Sequence, residues 1–411
     1  MVRLMALFTL KAMANLRGTE MKGELRSGIY WVGAIDWNIR NFHGYTTHKG
    51  TTYNAYLVIG EKIALVDTVK APFFGEMLEG INHIIVPEEI DYLIVNHVEM
   101  DHSGSLPLIR ETLPNVEIFC SPRAEGELKE HYGDEIPLKV VKTGDVLELG
   151  GKTLTFVEVP MVHWPDSMVT YVKEDKVLLP NDAFGQHIAS SERFDDELGW
   201  ETIYPELAKY YGNIVMPYGA QVLKAFEALK GIEIEVIGPS HGLIWKKYIP
   251  QLLKTYEKWA KGETEERALI VYDTMWGSTE KMAKAIYRGL TEEGIPTKMY
   301  RLTGSDMSDI VKEVLEARGL LLGSPTLNNG VFPAVAEFST YIKGLRPRGR
   351  IAAVFGSYGW GMGATKTLTA DLQAAGMEVL EELQVKFVPT EEKLDKCEGL
   401  GRRVAQRIKA S

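Results

Sequence analysis

The sequence predicts a two-domain α/β protein: an αββα sandwich first, then a doubly wound five-stranded parallel sheet. Three observations predict it. The chain has 411 residues, enough for two or three domains at ~150 residues each. The first ~260 residues are rich in short β-branched and aromatic runs bounded by Gly, Pro and Asp. After residue 267 strands and helices alternate strictly, as parallel sheets require.

In the first domain the strand patterns fall at 28–35, 55–59, 63–67, 92–96, 116–120, 154–159, 168–172, 176–179 and 235–237, with helical patterns between them such as 106–113 and 205–211. Many strands with interspersed helices predict two packed sheets covered by helices. An amphipathic helix at 251–260 and a charged run at 261–266 close this domain, expected to span 21–262. In the second, spanning 267–411, strands are predicted at 268–272, 297–302, 319–323, 351–356 and 378–388. Helices are predicted at 279–290, 307–317, 331–345, 365–375 and 391–410. Residues 1–20 carry a short apolar core interrupted by Lys11 and are read as an extension outside the fold in preference to a cleaved signal.

Composition narrows the function. Hydrophobic residues make up 45% and charged residues 25%, ordinary globular usage. The formal net charge is −10, and no basic stripe argues for nucleic acid. No run of ~18 apolar residues predicts a membrane helix. Two cysteines, Cys120 and Cys397, build neither a disulfide framework nor a four-cysteine metal site, which fits a reducing, cytoplasmic location. A metal would have to rest on His, Asp and Glu.

Such a set exists. After the apolar strand at 91–95 come His97, Glu99, Asp101 and His102, four metal-capable side chains within six residues. The alternate residues 97, 99 and 101 can face one way from an extended loop. His163, Asp182 and His241 each follow a predicted strand, where loops carry function on a rigid scaffold. Four histidines and three carboxylates favour iron or manganese over zinc, because hard oxygen donors suit those ions better.

A second site lies at the ends of the C-terminal strands. Thr274, Met275, Trp276, Gly277, Ser278 and Thr279 join a strand to a helix, an anion-binding arrangement of backbone N–H groups and hydroxyls. The loop lacks the Gly-Lys-Ser/Thr of a nucleoside triphosphatase. Pro325, Thr326, Leu327, Asn328, Asn329 and Gly330 form a second loop; Ser357, Tyr358, Gly359, Trp360 and Gly361 form a third. Ligands of doubly wound sheets bind at such strand ends. The glycines are expected to allow close backbone approach to a ligand, and Trp276, Tyr358 and Trp360 offer flat faces to a tricyclic ring.

The first motif resembles that of the metallo-β-lactamase superfamily, His-x-His-x-Asp-His, with Glu99 replacing its second histidine. The second domain resembles a flavodoxin, which implies FMN with its phosphate on residues 274–279. Together they resemble the flavodiiron proteins, over residues 22–411. The segments 36–38 and 50–55 also look like that family's N-terminal region. The resemblance implies two irons, one on His97, Glu99 and His163, the other on Asp101, His102 and His241, with Asp182 bridging. It implies reduction of O2 to water, of NO to nitrous oxide, or both; four electrons for O2 would come from two ferrous ions and reduced FMN. It further implies a separate electron donor such as rubredoxin or a reduced cofactor, and a head-to-tail homodimer or dimer of dimers. His43 and Tyr45 are expected to line the metal pocket or give protons, with Tyr210 or Tyr211 beside them. A two-zinc hydrolase and a plain flavin carrier are the competing readings.

Overall fold

The computed structural model describes residues 23–411; the extension expected at 1–20 lies outside them. Two compact units emerge. One runs to Leu207 and includes Ala220–Tyr256; the other consists of Ala208–Gly219 and Glu257–Ser411. The second thus takes up a segment from the middle of the predicted first domain.

In the first unit a seven-stranded sheet has the spatial order Glu24–Arg26, Ile29–Trp31, Tyr56–Ile59, Ile63–Val66, Tyr92–Val95, Glu117–Cys120, Leu138–Val140. A five-stranded sheet has the order Val146–Glu148, Thr153–Glu158, Met168–Val172, Val177–Leu179, Val236–Ile237. Val58, Val66 and Ile94 of one sheet share a buried cluster with Phe156, Met168 and Val177 of the other. The sheets therefore face each other across the core, and helices such as Phe74–Asn82 and Pro122–Tyr132 flank them.

The strand expected at 28–35 is two. Ile29–Trp31 joins the seven-stranded sheet, while Ala34–Asp36 pairs with Thr51–Tyr53. Gly33 sits at the break. A Cβ there would lie 2.1 Å from the Tyr53 carbonyl oxygen, so only glycine lets the backbones pass. The helix expected from Pro205 starts earlier, at Trp200, and absorbs the proline. It continues into a π-helical turn, Tyr211–Val215.

In the second unit five parallel strands have the order Thr297–Arg301, Glu265–Tyr272, Ala317–Gly323, Ile351–Tyr358, Glu378–Lys386. This is the 2-1-3-4-5 order of a doubly wound sheet, whose switch point lies between its first and third strands in sequence. One face packs on the helices Ser278–Glu292 and Glu391–Lys409, the other on Met307–Glu316, Pro333–Leu345 and Gly363–Ala374. Glu265 begins a strand, not a linker. No described helix is long and apolar enough to cross a membrane.

One buried carboxylate anchors the loop that ends the five-stranded sheet. Asp195 accepts backbone N–H groups from Lys246, Lys247 and Tyr248 at 2.8–3.2 Å. The neighbouring bridge pairs Ile237 with Trp245, so residues 238–244 form a closed loop. Asp195→Ala orphans three donors at once and is expected to destabilise the protein by about 2–4 kcal/mol in denaturant titration. A loss within error of zero would show that water replaces the carboxylate without cost.

Candidate metal and flavin sites

The seven residues singled out by the sequence converge at the strand ends of the first unit. His97 and Glu99 lie in the loop after Tyr92–Val95, and a single helical turn, Met100–Ser103, carries Asp101 and His102. Asp67 holds this loop to the next. It accepts from Asn96 N at 2.8 Å and from the side-chain amides of Asn96 and Asn181 at 3.2 Å each. Asn181 in turn precedes Asp182. Burial pushes the Asp67 carboxyl up, against the pull of His102 and these donors.

Two sets form around the two oxygens of Asp182. Its Oδ2 lies 3.6 Å from His97 Nε2 and 3.2 Å from His163 Nε2, and both nitrogens lie 3.4 Å from Glu99 Oε2. Its Oδ1 lies 3.1 Å from His102 Nε2 and 3.4 Å from His241 Nε2, and these lie 3.2 and 3.1 Å from Asp101 Oδ2. The Nε2 atoms of His97 and His102, both Asp101 oxygens and Asp182 Oδ2 are buried without a hydrogen-bond partner. Polar atoms so placed carry a large cost unless something between them takes their lone pairs. Metal bonds of ~2.0–2.2 Å put neighbouring ligand atoms about 3–3.5 Å apart, the spacing found here. Both donor sets therefore fit a cation.

Outer hydrogen bonds fix which nitrogen faces inward. His97 Nδ1 donates to the fully buried Asp166 at 2.9 and 3.1 Å. His241 Nδ1 donates to the Thr52 carbonyl at 2.7 Å. Ser240 Oγ donates to Asp182 Oδ1 at 2.9 Å. His187 hydrogen-bonds Thr51 Oγ at 2.7 Å, and its ring centre lies 4.8 Å from that of His241. Asp67, Asp166, Ser240, Thr52 and His187 were all missed in the sequence. Only Asp166 carried a local signal there, as the acid three residues past His163.

His43 occupies the tip of the hairpin Asn41–Phe42 and Tyr45–Thr46, with φ of 54° followed by 85° at Gly44. Its Nε2 is 3.2 Å from Glu99 Oε1 while its side chain is 68% exposed. Tyr45 is buried with its ring 5.2 Å from His187, one layer behind His241. Tyr210 is buried, and Tyr211 is buried against Trp259 at 5.1 Å.

In the second unit the three expected loops meet at the strand ends. The helix Ser278–Glu292 begins after Gly277, at φ 81°, with no side-chain cap. Ser278 is therefore its first residue and not its cap, and the leading N–H groups remain open to an anion. Thr279 and Ser357 hydroxyls lie 3.0 Å apart, joining the first and third loops. The second loop is a hairpin, Thr326–Leu327 with Gly330–Val331, turning through Asn328 and Asn329 at φ 50° and 59°. That is a type I′ turn. Gly361 of the third loop and Gly363, which opens the following helix, serve this hairpin. A Cβ at Gly363 would lie 1.9 Å from Asn329 O, and one at Gly361 2.6 Å from Asn329 Oδ1. The approach they permit within the chain is of loop to loop. Trp276 and Trp360 are 93% and 96% exposed, and Tyr358 is half-buried. Large exposed aromatics beside open backbone donors fit a planar ring with a phosphate.

Residues 51–242 match the family model described as ODP family beta lactamase. Residues 270–400 match Flavodoxin. A nitric oxide reductase of Moorella thermoacetica is 48% identical over 391 residues, 93% of this chain and 98% of the relative. Among solved structures, a rubredoxin oxygen:oxidoreductase from Desulfovibrio gigas superposes with TM-score 0.92 at 42% identity, over 94% of this chain and 98% of the other. The flavodiiron protein from Giardia intestinalis gives 0.92 at 34%, over 95% and 98%.

The charges in the first site predict proton-linked metal uptake. Burial pushes the imidazoliums down, but the carboxylates outweigh it. His102 rises to about 9 beside Asp101 and Asp182; His97 and His163 rise as well, through Asp166 and Glu99 for the one and Asp182 and Glu99 for the other. Burial raises Asp182 and Glu99, yet the facing histidines hold both well below the usual range. Without metal the site therefore holds protons, which a cation must displace. Divalent-metal affinity of the stripped protein is expected to rise at least about tenfold per pH unit between 7 and about 9. Calorimetric titration with Co2+ across that range measures it, and a flat profile would contradict the assignment.

Proposed function

Because this chain belongs to the flavodiiron proteins, we propose that it reduces O2 to water, NO to nitrous oxide, or both, at a pair of irons fed with electrons through FMN. The observation that carries the reading is the pair of donor sets sharing the two oxygens of Asp182. His97, Glu99 and His163 would hold one iron, Asp101, His102 and His241 the other, with Asp182 between them. Residues 274–279, 325–330 and 357–361 would hold FMN. When bound, the irons and the flavin supply the electrons and open coordination positions for the gas. We assign these roles to the domains 21–262 and 267–411 respectively.

The chain's own residues orient, exclude water and handle protons. Asp166 and the Thr52 carbonyl hold His97 and His241 in the tautomer that leaves Nε2 free to bind a cation. Trp164 lies edge-on to His97 at 5.1 Å and covers that side. Both reductions consume protons, and His43 has the geometry to carry them: one nitrogen at Glu99, the side chain open to solvent. The donor would be rubredoxin or a similar reduced carrier. The assembly would be a head-to-tail homodimer or dimer of dimers, bringing the flavin of one chain to the irons of the next. Cys120 and Cys397 are buried free thiols, consistent with the cytoplasm.

The deciding experiment is anaerobic purification, metal and flavin analysis, and gas consumption by the reduced protein. About two irons and about one FMN per chain, with turnover of either gas, are expected. Two zincs with thioester hydrolysis would sink the reading. Asp182→Ala is expected to lower iron at both positions and Glu99→Ala mainly at one, because only Asp182 faces both sets. Equal losses in the two variants would remove the bridging role. Ser278→Asp sets a carboxylate against the flavin phosphate and is expected to weaken FMN at least about tenfold. Unchanged fluorescence-titration affinity would move the phosphate elsewhere.

A further inference from the structure

The two donor sets are alike in composition. Each has two histidines, one carboxylate of its own, and one oxygen of Asp182. What distinguishes them lies behind the ligands. His97 donates to a full carboxylate, Asp166, which is wholly buried and accepts Val98 N as well at 2.8 Å. The corresponding histidine of the other set, His241, donates to a neutral carbonyl, Thr52 O. His102 Nδ1 has no hydrogen-bond partner at all.

The shared carboxylate is polarised in the same sense. Ser240 Oγ donates to Oδ1, the oxygen facing His102 and His241. Oδ2, facing His97 and His163, has no hydrogen-bond partner. A proton donor draws electron density from the oxygen it touches, so the bare oxygen is the stronger donor to a cation. One contact runs the other way: His43 touches Glu99 but no donor reaches Asp101. It uses Oε1, whereas Oε2 faces His97 and His163, and the exposed His43 side chain is screened by water.

Resting on the two-iron reading, we propose that the positions are electronically unequal. The position at His97, Glu99 and His163 holds the trivalent ion more strongly, and Asp166 and Ser240 set the difference. A negative group hydrogen-bonded to a ligating imidazole raises its basicity and favours the higher charge on the metal. When one electron leaves the fully reduced pair to an external mediator, the added positive charge settles at that position. The second electron leaves from the position at Asp101, His102 and His241.

The test is a potentiometric titration of the iron-loaded protein, followed by electron paramagnetic resonance, for the parent, Asp166→Asn and Ser240→Ala. The parent is expected to show two separated one-electron steps. Asp166→Asn keeps the shape and removes the charge. It is expected to weaken the trivalent ion's hold by about 10- to 100-fold relative to the divalent. The lower-potential step then rises by about 60–120 mV, at 59 mV per decade for one electron, while the upper step stays. Ser240→Ala removes a donor from the other side of Asp182 and is expected to lower the upper step alone. Steps that coincide in the parent, move together in either variant, or stay fixed in both overturn the proposal while iron remains at about two per chain. Should Asp166→Asn fail to fold, the parent and Ser240→Ala still decide. Parent protein that binds no iron would bring down the two-iron reading itself.

Discussion

Three carboxylates facing four imidazole nitrogens in a largely buried space form the constraint on which the first unit is built. Without a cation the imidazoles keep protons that pair with the carboxylates, and the lone pairs left unpaired are costly to bury. The arrangement is held in part by buried groups behind three of these residues and by one that ties two of their loops together. Asp67 ties the loop of His97 to the loop of Asp182. Asp166 seats His97, Ser240 seats Asp182 and the Thr52 carbonyl seats His241. Asp67, Asp166 and Ser240 lie beside strand ends of the two sheets packed on a common core, and Thr52 lies on the small separate sheet with Ala34–Asp36. The scaffold thus holds a buried polar constellation in place for cations.

The seven metal-capable residues that the structure brings together were legible in the sequence and their supports were not, for one physical reason. Four of them fall in a single short run, and the other three follow apolar strands, so pattern and position coincide. The supports act across the fold: 69 residues separate His97 from Asp166 and 189 separate His241 from Thr52. A serine or threonine of that kind looks like any other until the strands are placed. Element boundaries failed where a local rule met a tertiary demand. The run at 28–35 has strand composition throughout, yet Gly33 divides it between two sheets because the Tyr53 backbone passes there. Pro205 suggested a helix start, and packing carried the helix back to Trp200.

The second unit follows its strand–helix alternation closely, because its three central strands carry buried apolar runs and each helix has one buried face. Its three loops lie at the strand ends, and the Asn-Asn-Gly run at 328–330 is the turn of a two-residue hairpin. The glycines at 361 and 363 answer to that hairpin.

That last contact has a consequence for anyone who would re-engineer the flavin end of the molecule. Asn329 presses its carbonyl and its side chain into the space that side chains at 361 and 363 would fill. Neither loop is therefore an independent module. A graft that transplants the 357–363 segment from a relative with bulkier residues, or that lengthens the 326–331 hairpin, would collide with the loop left behind. The two segments form one exchangeable part, and variation in either across related chains should be matched by variation in the other.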